Sequence, residues 1–338
     1  MNRILVTGGA GFIGSNFVRM ILDEEPDVLV VNLDKLTYAG NLENLSGYME
    51  KANHKFVKGD ICDGDLVESL IDKYKIEAII NFAAESHVDR SISEPKVFID
   101  TNVTGTLTLL EAARDKKLSR FVQVSTDEVY GSLKPGDPIF NENTLISPNS
   151  PYSASKAAAD HLVRAFGHTW NLPVNITRCS NNYGQYQFPE KMIPLMINNA
   201  LSDKPLPVYG DGMQVRDWLY VYDHCRAIWL VLTRAEAGEV YNIGGCNEKT
   251  NMEVIRLILK KVGKNESLIK HVTDRPGHDR RYAIDANKIM TELGWKPTVT
   301  FEEGLEKTIQ WYLDNGDWLK NIVSGDYQKY YQDMYGSR

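Results

Sequence analysis

Short continuous apolar runs recur through the first half of the chain, at residues 4–7, 28–33, 55–58, 78–82, 121–125 and 174–178. Segments with apolar positions at helical spacing separate most of them, as at 17–23, 66–74 and 98–114. Strands apolar on both faces, alternating with helices, predict a parallel sheet covered on each side. Crossovers of this kind are right-handed, so the expected fold class is α/β with a doubly wound sheet. Beyond residue 178 the pattern loosens, and Gly184, Pro189, Pro194, Pro205, Pro207, Gly210 and Gly212 follow in close order. This predicts a smaller C-terminal α+β lobe that binds substrate, with helices at 252–262 and 301–315. A run at 240–244 reads as a strand returning to the main sheet. The expected division is 1–178 for the sheet domain, with the return strand near 221–248, and 179–220 plus 249–338 for the second lobe.

Composition narrows the function classes. A chain of 338 residues is long enough for two lobes around a cleft. The net charge of -7 argues against a nucleic-acid binder, which needs a basic surface. No apolar run approaches the roughly 18 residues of a membrane span. The first residues enter a strand-like run directly, so no signal peptide is expected. Cys62, Cys179, Cys225 and Cys246 are scattered and form no CxxC pair, which suits reduced thiols in a cytosolic protein. The histidines show no metal-binding spacing, and no metal is expected.

The first strand runs into Thr7-Gly8-Gly9-Ala10-Gly11-Phe12-Ile13-Gly14. Glycines at 8, 11 and 14 permit a tight turn, close approach of backbone to a pyrophosphate, and close helix–strand packing. Amides at the following helix start would hold the negative charge. Asp34 ends the second strand, 20 positions beyond Gly14 (34 − 14), where an acid accepts both ribose hydroxyls. It would repel a 2′-phosphate, so NAD is expected rather than NADP, although Lys35 stands beside it. Asp60 and Ile61 end the third strand, where an adenine edge would sit; for Asp60 a loop cap is an equally good reading. Phe82, Ala83 and Ala84 end the fourth strand with small residues.

Tyr152 and Lys156 stand four apart, so a helix puts both on one face. An ammonium and an oxidised nicotinamide nearby would each favour the phenolate, making Tyr152 a base for a substrate hydroxyl. Ser125 and Thr126 end the preceding strand, and Asp127 and Glu128 follow at once. A dehydrogenase needs the hydroxyl, the phenol and the lysine; a carboxylate pair implies further chemistry.

With TGGAGFIG, YSASK and this strand order, the chain resembles the extended short-chain dehydrogenase/reductases, whose dinucleotide domain is a Rossmann fold. DKLTYAGNLENL (34–45), STDEVYG (125–131), CSNNYG (179–184), FPEKMIP (188–194), RDWLYVYDH (216–224) and DRPGHDRRYAID (274–285) are similar to segments of the dTDP-glucose 4,6-dehydratases within that family. The resemblance implies an NAD-dependent lyase. It would oxidise C4 of a hexose, eliminate water across C5 and C6, and return the hydride to C6. It assigns Tyr152 as the C4 base, Lys156 and Thr126 as its partners, Glu128 as the C5 base and Asp127 as the C6 acid. Phe12, Ile13, Leu36, Thr37 and Thr101 join the cofactor set, with Asn182 near the nicotinamide. Ser86 would touch both sugar and cofactor. Asn181, Lys191 and Met192 would line the sugar–phosphate path, and Pro207, Val208, Tyr209 and Asn247 the base site. Arg216 and the segment Asp274, Arg275, Pro276, Gly277 and His278 would reach the nucleotide. In the family, the helices around 98–114 and 153–166 pair as a homodimer interface; from sequence alone the same stripe fits packing on the sheet.

These roles carry a physical demand. Neighbours on a strand point to opposite faces, so Asp127 and Glu128 can serve one substrate only if the backbone turns irregular there. Asp127 must also be protonated, which burial or a neighbouring carboxylate would favour. A helix cap plus a solvated acid is the plain alternative for the pair. At the level of function the rivals are a nucleotide-sugar 4-epimerase or decarboxylase on the same scaffold, and a non-catalytic dinucleotide sensor.

Overall fold

In a computed structural model of the chain, residues 1–134, 136–274 and 278–323 are described. Seven parallel strands form the main sheet, in the order Val240–Ile243, Val174–Cys179, Arg120–Thr126, Ala78–Asn81, Arg3–Thr7, Leu29–Asp34 and His54–Lys58. The chain starts near the middle, winds outward to one edge, then returns to the other side of its first strand. The crevice therefore opens beyond the carboxyl ends of Arg3–Thr7 and Ala78–Asn81, where ligands bind in such sheets.

Alternation along the strands fills two cores. Ile4 and Val6 pack with Phe17, Ile21, Val122, Ile228 and Val231 on one face. Leu5 packs with Leu33, Leu70, Leu109, Phe121 and Phe166 on the other. A third core holds Tyr183, Leu195, Ile197, Trp218, Ile255, Phe301, Leu305 and Tyr312. It covers a three-stranded sheet of Glu248–Thr250, Val215–Tyr220 and Asn181–Tyr183. Trp318 joins this core and donates its indole N–H to Asn44 Oδ1 at 2.9 Å, tying it back to the large sheet.

Two sequence expectations change. Residues 98–114 are not one regular helix: a short helix at Pro95–Phe98 leads into a π-helical stretch, Ile99–Gly105, and then an α-helix at Thr106–Asp115. The buried Asn102 turns inward there. Its amide takes the Glu85 N–H at 2.9 Å and donates to Glu85 O at 3.0 Å and Ser155 Oγ at 2.8 Å. The second change concerns 249–338. Ala286, Ile289 and Trp295 pack into the first core, so residues 286–295 sit against the large sheet, while Ile255, Phe301 and Leu305 lie in the third core as expected of the second lobe. The Trp295 indole donates to Asp223 O at 3.0 Å, on the helix Val221–Arg234 that covers that face.

Among the described residues no helix is long and apolar enough to cross a membrane. Nor does any group of three or more His, Cys, Asp or Glu among them stand where it could hold a metal ion.

Candidate active site

The first strand ends in a turn that side chains would block. Gly8 has φ +70, and a Cβ there would lie 2.6 Å from Ala83 N. A Cβ on Gly14 would lie 2.2 Å from Gly8 O, so the helix Phe12–Glu24 can start directly against the turn. Its first amides face a cleft that Gly8, Gly11, Phe12, Ile13 and Gly14 line. Asp34 lies on the same wall. Its Oδ2 accepts Ala10 N at 2.9 Å and its Oδ1 accepts Leu36 N at 2.8 Å. Each oxygen retains a further lone pair for a ribose hydroxyl. Burial pushes this carboxyl up, while the two backbone N–H groups act in the opposite sense. Lys35 turns to Asp60, 2.6 Å away, so its ammonium is paired with a carboxylate rather than held out for a phosphate. The glycine cradle, the acid with spare acceptor capacity and the open wall of Phe82, Ala83 and Ala84 fit NAD.

At the chemical centre the strand stops at Thr126 and a 3-10 turn, Asp127–Tyr130, begins. Thr126 Oγ1 accepts Glu128 N at 3.2 Å and caps that turn. The strand alternation is thereby broken, and both Asp127 and Glu128 line the cleft with Thr126. Asp127 is 2% exposed. Burial, then Glu128, then Asp217 drive its carboxyl well above the usual carboxylate range, while Arg216 acts against the rise. Glu128 is partly exposed beside it.

The helix Pro151–Trp170 brings Tyr152 and Lys156 to the same place. Proline in its first turn and a Ser150–Ser153 capping box define its start. Lys156 Nζ donates to Val124 O at 2.7 Å. Burial lowers the pKa of this ammonium, with Asp160 opposing. Burial first, then Glu128 and Cys179, raise the Tyr152 phenol well above its ordinary value; Thr126 opposes them.

Other anticipated residues fall on two sides. Lys35, Thr37, Asp60, Ile61, Ser86, Thr101, Asn181, Asn182 and Lys191 line the cleft. Lys191 Nζ donates to Ser86 O at 2.8 Å. Leu36 does not line it and contributes the backbone N–H on Asp34. Met192 opens the helix Met192–Leu201 and packs against the third core, and Val208 is buried within that core. Pro207 and Tyr209 share the strand Leu206–Tyr209 with it, and Tyr209 donates its hydroxyl to Asp89 at 3.3 Å. Asp274 pairs with His278 at 2.6 Å. The Asn247 N–H reaches Asp217 at 2.6 Å. Arg216 lies 4.3 Å over the Tyr282 ring and donates to Asp279 O at 2.9 Å. Arg275, Pro276 and Gly277 lie outside the described residues.

Sequence reasoning missed Glu85, Gln187, Phe188 and Glu190, all on the cleft wall. Glu190 accepts the Tyr38 hydroxyl at 3.1 Å, and the Arg90 guanidinium sits 3.7 Å over the Tyr38 ring. Burial raises the Glu190 carboxyl, against the pull of Lys191 and Arg90. The signal lay in FPEKMIP, where the acid precedes the lysine that was singled out.

A doubly wound sheet whose glycine turn, second-strand acid and Tyr–Lys helix converge on one cleft defines an NAD-dependent enzyme of the extended short-chain dehydrogenase/reductase type. A family profile described as GDP-mannose 4,6 dehydratase matches residues 5–308. The chain is 56% identical to the dTDP-glucose 4,6-dehydratase of Xanthomonas campestris pv. campestris, over 96% of this chain and 97% of the relative. The dTDP-glucose 4,6-dehydratase of Bacillus anthracis, solved in complex with NAD, is 53% identical with a TM-score of 0.90, covering 95% of this chain and 100% of that one. The Streptomyces venezuelae enzyme of the same name, with NAD and TDP bound, is 50% identical with a TM-score of 0.92, covering 95% and 99%. The chain belongs to this nucleotide-sugar 4,6-dehydratase family.

Proposed function

We propose that the chain is a dTDP-glucose 4,6-dehydratase, converting dTDP-glucose to the 4-keto-6-deoxy sugar with loss of one water. The observation that carries this reading beyond a plain oxidoreductase is the turn after Thr126, which sets Asp127 and Glu128 into one cleft with Tyr152. NAD, held by the glycine turn and Asp34, supplies the acceptor for the C4 hydride and the donor for C6.

Tyr152 takes the C4 hydroxyl proton, with Thr126 acting to ease ionisation of the phenol. A ketone at C4 makes the C5 proton acidic. Glu128 removes that proton while Asp127 protonates the departing C6 oxygen, and water leaves. Burial and the neighbouring carboxylates keep a proton on Asp127 for this step. Arg216 would hold the diphosphate, because its planar fork matches phosphate oxygens. Lys191 and Asn181 would line the path to the sugar.

The chain would act as a cytoplasmic homodimer. Ile92, Val97 and Ile99, exposed at 45%, 43% and 47% beside the helical segment 98–114, support pairing with a second copy.

Incubation with dTDP-glucose and mass measurement tests the reading. Loss of one water is expected; an unchanged mass with a new isomer would point to an epimerase. Glu128→Gln should still oxidise C4 but stall before elimination, so enzyme-bound NADH should build up with substrate. Equal loss of both steps would mean that Glu128 serves structure alone.

A further inference from the structure

Asn182 lines the cleft from the short strand Asn181–Tyr183, and both ends of its amide are held from behind. Its Nδ2 donates to Ser180 O at 3.0 Å. A carbonyl can only accept, so the amide nitrogen must lie on that side. Oδ1 then faces His224 Nδ1 at 2.9 Å. Two acceptors cannot bond, so His224 Nδ1 carries the hydrogen and the neutral ring is the Nδ1–H tautomer. His224 is 0% exposed, within the helix Val221–Arg234. Its Nε2 is buried with no hydrogen-bond partner among the described residues, which suits a bare lone pair and not a second N–H. Burial also holds the ring neutral, with its pKa down at about 3.

The consequence reaches the cleft. With Oδ1 held by His224 Nδ1 and one Nδ2 hydrogen by Ser180, the second Nδ2 hydrogen is the donor that Asn182 has left for a ligand. Without the histidine donor the amide loses the contact that fixes its carbonyl end.

We propose that His224 is a positioning residue: through Asn182 it presents an amide N–H of fixed direction to the nicotinamide end of the cofactor site. The proposal rests on the reading that NAD fills this cleft. His224 itself touches neither cofactor nor sugar; it acts one residue removed, from the core side of the sheet.

Two measurements test it. The first is a long-range 1H–15N spectrum of the holoenzyme labelled at histidine, which reports the tautomer directly. A protonated Nδ1 and a pyridine-like Nε2 for His224, unchanged over about pH 6 to 8, are expected. An Nε2–H tautomer, or titration within that window, overturns the proposal. The second is NAD affinity, by calorimetry, of wild type and three variants. His224→Asn places an amide N–H close to the position of Nδ1 and should hold affinity within about 2-fold. His224→Gln, whose amide reaches the position of Nε2, and His224→Leu, which has no donor, should each weaken NAD by roughly 5- to 10-fold. KM for dTDP-glucose should stay near that of wild type in all three. Equal affinity for the Asn and Gln variants would mean that His224 only fills space, and so would affinity losses that follow Tm alone. A wild-type protein that shows the expected tautomer but binds no NAD would remove the cofactor reading itself.

Discussion

Thr126 Oγ1 accepts the backbone N–H of Glu128 at 3.2 Å, and the turn that it caps brings Asp127 and Glu128 into one cleft. Loss of the hydroxyl removes the cap of the 3-10 turn, worth about 1 kcal/mol. It also removes a group that favours ionisation of Tyr152. Thr126→Val should lower Tm by about 2–4 °C and slow C4 oxidation and elimination together. Single-turnover absorbance of the reduced nicotinamide separates the two steps, and a variant impaired in neither would show that the cap has no chemical consequence.

Asp127 yields a pH prediction with a definite sign. Its carboxyl is raised well above the ordinary 3.8 in the folded chain, so the folded state binds the proton more tightly than the unfolded one. The buried acid is therefore least costly to fold below pH 3.8, and its cost grows as pH rises towards the folded pKa. Asp127→Asn, neutral at every pH, should raise Tm by about 2–4 °C near pH 7. It should bring no gain below about pH 4. Elimination should nevertheless fall, because an amide cannot hand a proton to the C6 oxygen. A pH-independent difference in Tm would count against the burial argument.

Tyr152→Phe removes the proton acceptor but keeps the ring that meets Phe98 edge-on at 6.3 Å. NAD binding should survive, whereas oxidation at C4 should drop by about 10²–10⁴-fold. Stopped-flow absorbance with dTDP-glucose checks this, and turnover like that of wild type would discard the assignment.

Gly8→Ala tests the turn. A Cβ at φ +70, 2.6 Å from Ala83 N, meets backbone that cannot step aside. The substitution should cost at least about 1–2 kcal/mol. It should also impair NAD binding, since Gly8 lines the cleft. Thermal melts with and without NAD measure both effects; a variant still stabilised by NAD as wild type is would place the pyrophosphate elsewhere.

What the sequence showed best was local. Gly8, Gly11 and Gly14 act within one turn, Tyr152 and Lys156 stand four apart on one helix, and Asp34 ends a strand that is mostly apolar. These depend on spacing along the chain, and spacing is readable. Glu190 was missed because its role depends on Tyr38, far away in sequence, coming within 3.1 Å. The break in 98–114 was missed because Asn102 looks like any polar helix residue until Glu85 and Ser155 stand beside it. Lys156 was placed on the correct helix face, but its tie to Val124 O is a tertiary contact that no periodicity reports.

The Asn102 amide bridges two elements beside the cleft. Ser155 takes its N–H at 2.8 Å and in turn donates to Tyr152 O at 2.7 Å, while the other side of Asn102 grips Glu85, just past Ala84. One carboxamide thus sets the spacing between the loop that borders the cofactor and the helix that carries the phenol. A mutation at 102 would therefore displace the helix start that bears Tyr152 from the loop at Glu85.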